Sequence, residues 1–282
     1  MHKLFLAAIA TIFSATYTSA QQLKEEIDTV SYLDLAGKAD TAIMESRWLD
    51  AETLLQKAMR MEPGNPTNIL LMSNLGLVRL YAGKDSLALA TLNDAHRIAP
   101  ASVTVLKNRA KVLRAMGRDS EAYNDYTLIL QLDSMAIEPR FMHGMMALYG
   151  GDTKTAETDF NFLNRVVPES ENTILGLAAL YSATHRHHDA IVQYTKLINR
   201  NPAPEYYNRR AALYLATKQL NEASADIAEA LSLTPDDAEL YLFRAYLNKL
   251  RYRSADADAD FKRAEELGID PERIKFFKNY NE

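Results

Sequence analysis

A unit of about 34 residues repeats seven times between Tyr32 and Pro271, and this period confines the chain to one class of fold. Every unit contains an alanine, and successive alanines lie 37, 34, 34, 34, 33 and 34 residues apart. These alanines are Ala51, Ala88, Ala122, Ala156, Ala190, Ala223 and Ala257. A large apolar residue follows each of them by four positions: Leu55, Leu92, Tyr126, Phe160, Tyr194, Ile227 and Phe261. Three positions later come Ala58, Ala95, Ile129, Leu163, Leu197, Ala230 and Ala264. Columns that stay in phase over seven copies identify a repeat protein.

A proline ends five of the seven units, at Pro63, Pro100, Pro168, Pro202 and Pro235. This pattern resembles the tetratricopeptide repeat, a 34-residue pair of antiparallel helices with alanines and a closing proline at these offsets. The Leu-Gly pair of that family is matched at Leu75-Gly76, Arg109-Ala110, His143-Gly144, Leu177-Ala178, Arg210-Ala211 and Arg244-Ala245. The resemblance covers roughly 240 of the 282 residues. It departs from the pattern at Ser134 and Ile269, which replace the proline, and in three extra residues, Gly64 to Pro66, in the first join.

The resemblance implies an all-α fold, a right-handed α-solenoid of about seven helix-turn-helix repeats with a concave inner wall. Apolar residues at i, i+4 and i+7 give each helix pair a stripe that only a neighbouring pair can bury. Gly83, Gly117 and Gly151 fall between the two helices of their units, where a residue with positive φ ends the first helix.

We predict four segments: a signal peptide over residues 1–20, a lead-in over 21–31, the repeat array over 32–270 and a C-terminal capping helix over 271–282. The last segment has an apolar face that would cover the end of the array, and a mobile tail is the alternative. Its apolar residues are Ile274, Phe276, Phe277 and Tyr280.

The first twenty residues differ in composition from the rest. A short basic start at Lys3 precedes a ten-residue, largely apolar run, and small residues end the segment at Ala20. These features are typical of a secretory signal peptide, cleaved near Ala20 to leave Gln21. The apolar run is shorter than the ~20 residues that a membrane span needs, and an uncleaved anchor is the alternative. We therefore expect a periplasmic or secreted protein of the Gram-negative cell envelope, with no membrane span after cleavage.

The chain is mildly acidic and contains no cysteine. Its formal net charge is −5, and it becomes −6 once cleavage removes Lys3. Because no basic stripe offsets this charge, we expect no nucleic-acid partner. The lack of cysteine excludes disulfides, thiol chemistry and lipid attachment through an N-terminal cysteine.

A histidine cluster lies in the turn between the two helices of the fifth repeat. His185, His187 and His188 stand beside Asp189, a combination that can bind a transition metal. Neighbouring residues on a turn point in different directions, however, and Arg186 repels a cation. A solvated turn is the better interpretation, and a metal-dependent hydrolase at this cluster is the least favoured hypothesis.

Other candidates for chemistry are weaker. Asp256, Asp258 and Asp260 lack the glycine turn and distal glutamate of a calcium loop, so we predict a mostly solvated face of the last repeat. His96 and His143 stand alone in helices and are interpreted as packing or rim residues. The chain has no phosphate loop, nucleophile elbow or His-Glu-x-x-His sequence. We expect no catalytic residue, no metal and no cofactor.

By resemblance to the family, first-helix positions 2, 5, 6, 9, 12 and 13 of each unit line the concave wall. The seven units start at Tyr32, Ile69, Val103, Ile137, Glu171, Pro204 and Ala238. The predicted binding groove then includes Asn74, Lys107, Asn108, Lys111, Arg114, Phe141, Met142, Met145, Tyr149, Asn208, Arg209, Phe243 and Tyr246. Cations of the third unit share one helical face, and methionines and aromatic residues of the fourth form an apolar pocket.

This arrangement predicts a protein or peptide partner with an acidic end and an apolar anchor. Our first hypothesis is a non-catalytic scaffold or adaptor of the cell envelope that holds this partner in the groove. The alternative is a binding module for a peptidoglycan fragment or glycan, with Phe141, Tyr149, Phe243 and Tyr246 as aromatic platforms. The carboxylate clamp for chaperone tails known in the family is not expected, since its Lys-and-Asn first helix has no counterpart in the first or second unit.

Overall fold

The computed structural model describes residues 31–280, which form fifteen α-helices and no strand within that range. The chain divides into two compact units; unit 1 ends at Ser134 and unit 2 begins at Met135. Unit 1 contains α1 (Tyr32–Met44), α2 (Trp48–Met61), α3 (Asn68–Tyr81), α4 (Asp85–Ile98), α5 (Val103–Ala115) and α6 (Asp119–Leu132). Unit 2 contains α7 (Ile137–Tyr149), α8 (Thr153–Val166), α9 (Glu171–Ala183), α10 (His187–Arg200), α11 (Pro204–Ala216), α12 (Leu220–Leu233), α13 (Ala238–Leu250), α14 (Ser254–Glu266) and α15 (Pro271–Asn279). The predicted signal peptide lies outside the described residues.

Each repeat is a pair of packed helices, and each pair packs on the next pair of its unit. The first helices begin at the predicted starts of the repeats, except that α3 begins one residue early, at Asn68. Within each unit this is the arrangement of an α-solenoid, and it confirms the all-α repeat fold. No helix in residues 31–280 combines the length and the apolar character that crossing a membrane requires.

The three residue columns of the second helices form the core. Six of the seven anchor alanines are fully buried, and Ala257 is 4% exposed. The large apolar residues four positions later are all buried, and they fill the space that the small residues leave. A Cβ placed on Gly76 would lie 2.5 Å from Leu92, and one on Gly176 would lie 2.5 Å from the ring of Phe160. Small residues therefore allow the close approach of the first helices.

The turns between paired helices share one backbone conformation in all seven repeats. Gly83, Gly117 and Gly151 have positive φ values of 72°, 70° and 84°, as predicted. The other four repeats place a residue with a side chain in the same left-handed conformation, with φ near 58°: Ser46, His185, Lys218 and Tyr252. The sequence analysis found only the glycines, because serine, lysine and tyrosine seldom adopt this conformation and the enrichment of histidine in it is a weak signal.

The C-terminal segment forms a helix, α15, that packs on α13 and α14. Ile274 is buried in a cluster with residues of both helices, and the ring of Phe277 lies 5.3 Å from that of Tyr246. Lys249 Nζ donates hydrogen bonds to the carbonyls of Phe277 and Tyr280, which stabilise the C-terminal end of α15. The predicted capping helix is thus present, rather than a mobile tail.

Candidate functional site

The most cationic helix of unit 1 is α5. It carries Lys107, Arg109, Lys111 and Arg114 and contains no acidic residue, although the chain as a whole is acidic. Lys111 and Arg114 are exposed and Lys107 is half-buried. Because residues at i, i+4 and i+7 share a helical face, these three cations project from one side of α5. Arg109 projects from another side of the helix, toward α6, where it forms an ion pair with Asp125.

Polar contacts join this side of α5 to α3, the first helix of the preceding repeat. Asn108 Nδ2 donates a hydrogen bond to the Ser73 hydroxyl at 2.8 Å. Lys111 donates to the Tyr81 hydroxyl, and its ammonium lies 5.1 Å from the centre of that ring. These contacts hold the side chains in place before any ligand arrives, which lowers the entropy cost of binding. We call Asn74, Tyr81, Lys107, Asn108, Lys111 and Arg114 the cationic face.

Exposed apolar residues lie on the neighbouring first helices of unit 1. Leu70 and Tyr81 are 49% and 47% exposed, and they are eleven positions apart, which is close to three helical turns. They therefore lie on the side of α3 that carries Asn74. Leu33 and Met44 have the same spacing on α1 and are 76% and 86% exposed. Unit 1 thus presents cations on α5, half-exposed apolar side chains on α3 and mostly exposed ones on α1.

Buried aspartates that are hydrogen-bonded to a side chain of the other helix of their repeat are the main feature that the sequence analysis missed. Four second helices carry a buried aspartate directly before their large apolar residue. Its partner is an arginine or histidine sixteen residues earlier, at the first position of the Leu-Gly pair. The pairs are Arg109–Asp125, His143–Asp159, Arg210–Asp226 and Arg244–Asp260. The repeated spacing of sixteen residues was the signal that could have revealed them.

These pairs correct the prediction for Asp260, and they add a partner to His143, which was interpreted as a packing or rim residue. Asp260 is not solvated: it is 7% exposed and accepts hydrogen bonds from Arg244 and from Asn248 at 3.0 Å. His143 does not stand alone, since its Nδ1 lies 2.6 Å from Asp159, which also accepts from Arg140 at 2.9 Å. Both aspartates lie at the crossing of two helices, where a charge must be paired.

The predicted groove residues of unit 2 differ in accessibility. Phe141 is 9% exposed and lies against Phe160, and Tyr246 is covered by Phe277 of α15 and by Tyr280, which follows that helix. These two rings are core residues, which corrects their prediction as open groove. Tyr149 is 77% exposed and Arg209 is exposed, while Met142, Met145, Asn208 and Phe243 are half-buried. Of the four aromatic platforms predicted for a glycan, Tyr149 alone presents a largely exposed ring.

The histidine turn is held by contacts of its arginine. Arg186 pairs with Asp189 at 2.7 Å and lies 4.1 Å from the centre of the Tyr181 ring. The rings of His185 and His187 meet edge to face at 5.7 Å. Within the part of the chain that the structure describes, no group of three or more histidine and acidic side chains could hold a metal ion.

Comparison with known proteins finds a relative that is similar over most of both chains. The crystal structure of a tetratricopeptide repeat protein from Parabacteroides merdae is 30% identical, covers 87% of this chain and 96% of its own, and has a TM-score of 0.69. The hetero-tetramer Cut9-Hcn1 of the APC/C contains a similar fold, at 15% identity over 93% of this chain and 58% of that chain, with a TM-score of 0.65.

Among curated sequences, a DnaJ homolog subfamily C member 7 homolog from Dictyostelium discoideum is 24% identical over 191 residues. This match covers 62% of the chain and about a third, 35%, of that protein. No protein-family model matches the chain.

Proposed function

This chain belongs to the tetratricopeptide repeat family, and we propose that it is a non-catalytic adaptor that binds an acidic segment of a partner protein on the cationic face of unit 1. The fold supports a role as a protein-interaction scaffold. The relative from Parabacteroides merdae shares the repeat over nearly its whole length, and Cut9 occurs in a hetero-tetramer with Hcn1. The partner and the face are our inference from the geometry.

One observation carries the proposal: Lys107, Lys111 and Arg114 are gathered on one side of α5 in a chain whose net charge is −5. Carboxylates of a partner complement these cations, and complementary charge speeds encounter as well as fixing register. Asn74 and Asn108 lie beside the cations and can bond to the backbone of an extended peptide.

Apolar side chains of the partner have a place on the same side of unit 1. Leu70 and Tyr81 of α3 are about half exposed, and Leu33 and Met44 of α1 are mostly exposed. The expected partner segment therefore carries acidic residues over α5 and apolar residues toward α3 and α1. This assignment moves the apolar anchor to unit 1, away from the Met-rich pocket that the sequence analysis predicted in the fourth repeat.

The proposal that this adaptor works in the cell envelope has a separate basis, the signal-peptide features of residues 1–20. Sequencing the N-terminus of the exported protein tests it. Gln21 as the first residue supports the proposal, and retention of the intact N-terminus contradicts cleavage.

Charge reversal tests the cationic face. Short peptides are selected from a display library on the native chain and then bound to the variant K107E/K111E/R114E. A charge-assisted hydrogen bond contributes about 1.5–3 kcal/mol, so the variant should bind at least about tenfold more weakly. Raising the salt from about 50 to 300 mM should also weaken native binding.

The matched control reverses three exposed cations on second helices of unit 2, with K154E/R165E/K196E. This control carries the same change in net charge and should bind the selected peptides as the native chain does. The proposal fails if the selected peptides are not enriched in Asp and Glu, or if both triple variants lose affinity equally.

A further inference from the structure

The three extra residues of the first join, Gly64 to Pro66, line a pocket on unit 1. Its walls are mostly apolar and consist of Met59 from α2, Asn68, Ile69 and Met72 from α3, Ile98 from the end of α4, and residues 63–66. We call this cavity the loop pocket. Its volume of about 410 Å³ is within the range of about 300–1,000 Å³ that is usual for ligand sites. Insertions between repeats often map to a binding surface.

Hydrogen bonds hold the inserted loop in a defined conformation. Asn65 Oδ1 accepts from the backbone N–H of Thr67 at 2.9 Å, and Asn65 Nδ2 donates to the Glu62 carboxylate at 2.8 Å. Asn68 Nδ2 donates to the Glu62 carbonyl at 2.7 Å, and Asn68 Oδ1 accepts from the Tyr32 hydroxyl at 3.1 Å. The pocket is therefore formed before a ligand binds, so a ligand does not have to order the loop.

The chemistry of the walls selects an apolar ligand group. Both asparagine side chains that line the pocket, Asn65 and Asn68, are already bonded within the loop. Recognition then depends on Ile69, Ile98 and the methionines, whose flexible thioether chains adapt to different apolar shapes. Ile98 is 61% exposed, so the pocket opens to solvent and its occupant can remain attached to a larger molecule.

We propose that the loop pocket receives one apolar side chain, of leucine or phenylalanine size, from an acidic segment of a partner protein. The acidic character follows from charge. Arg60 directly follows the wall residue Met59 in the sequence, and Arg97 directly precedes the wall residue Ile98. Both arginines are exposed. Arg97 pairs with Asp94, but both side chains are more than half exposed, and such pairs exchange readily for a new carboxylate. The choice of a protein occupant rests on the proposed function, whereas the site is separate from the cationic face.

Methionine methyl NMR tests this site directly. The chain is labelled at its methionine methyl groups, and the signals of Met59 and Met72 are assigned with Met59→Leu and Met72→Leu. The probes are acetyl-Asp-Phe-Asp-amide, the same peptide with Ala in place of Phe, and octanoate as a free acyl chain. The variant I98E places a carboxylate on the rim. L132E is its matched control, since Leu132 ends the second helix of the next repeat and is 45% exposed.

We expect the Phe peptide to shift both methyl signals saturably in the native chain, in L132E and in K107E/K111E/R114E. The same peptide should give no saturable shift in I98E, and the Ala peptide should give none in the native chain. The proposal is overturned by no saturable shift, by equal shifts in I98E, or by octanoate saturating at a tenfold lower concentration than the Phe peptide. If the triple variant alone loses the shift, the peptide binds the cationic face, and the loop pocket fails while the proposed function stands.

Discussion

Removal of one partner from a buried ion pair should destabilise unit 2 strongly, and Arg210 with Asp226 offers the clearest case. Arg210 donates two hydrogen bonds to this carboxylate, at 2.8 and 2.7 Å, and Asp226 in turn raises the pKa of the guanidinium. The two side chains are 14% and 5% exposed. In Arg210→Leu the carboxylate stays between two helices without these donors, which costs about 3–5 kcal/mol in buried pairs of this kind.

The chain itself shows what should repair the damage. The fifth repeat has Leu177 and Gln193 at the positions that hold Arg210 and Asp226 in the sixth. Replacing a buried ion pair with well-packed hydrophobic residues of similar volume is often neutral or stabilising, and the leucine and glutamine of the fifth repeat show that this crossing accommodates uncharged side chains. Thr195 loses the donor Arg210 but keeps its own bond to the carbonyl of Ile191. The free energy of unfolding of R210L/D226Q should therefore lie within about 1 kcal/mol of that of the native chain.

Thermal unfolding followed by far-UV circular dichroism measures these differences. A loss of 3–5 kcal/mol should lower Tm by roughly 6–20 °C for a unit of this size. Repeats need not unfold in one step, so hydrogen exchange in α11 and α12 should show that the loss is local. Arg200→Leu is the control, since its pair with Glu169 is exposed and should contribute less than about 1 kcal/mol. The reasoning is refuted if Arg210→Leu is as stable as Arg200→Leu, or if the double variant is no better than Arg210→Leu.

Two further predictions concern unit 1 and the helix contacts. Burial alone would raise the pKa of Glu52, but hydrogen bonds from Lys84 and Arg79 outweigh it and hold the pKa below the usual 4.5. The stability that this carboxylate contributes is complete above its pKa in the unfolded chain, and it is lost as the pH falls through its lowered pKa in the folded chain. The difference in unfolding free energy between the native chain and Glu52→Gln should therefore disappear between about pH 5 and 3. A difference that stays constant over this range contradicts the prediction. Gly176→Ala should cost about 1–3 kcal/mol by pressing on Phe160. Gly37→Ala, where a Cβ meets nothing within 4 Å, should stabilise α1 by about 0.5–1 kcal/mol, and equal denaturation midpoints for the two variants would contradict the packing argument.

Sequence reasoning predicted the elements and the core well, and the exposure of individual side chains less well. The helix starts and the buried columns follow from a period that repeats seven times, so each repeat confirms the others. Phe141 and Tyr246 fit the family positions for groove residues, yet Phe160 and α15 cover them. The position of a residue in the repeat indicates the side of the helix from which its side chain projects. The exposure of that side chain depends on which neighbour packs against it. A single sequence carries no direct signal of that neighbour.

The sequence by itself determined that this protein is an array of helix pairs, because helical spacing and small residues at the crossings act over a few residues. The sixteen-residue spacing is a signal in the sequence, but only the tertiary structure showed that Arg210 and Asp226 meet, through the crossing of two helices. It also decided that Tyr246 lies under Phe277, 31 residues later, and that the loop from Gly64 to Pro66 lines a pocket. The pairing of distant residues depends on how whole helices pack, and that packing is a property of the folded array.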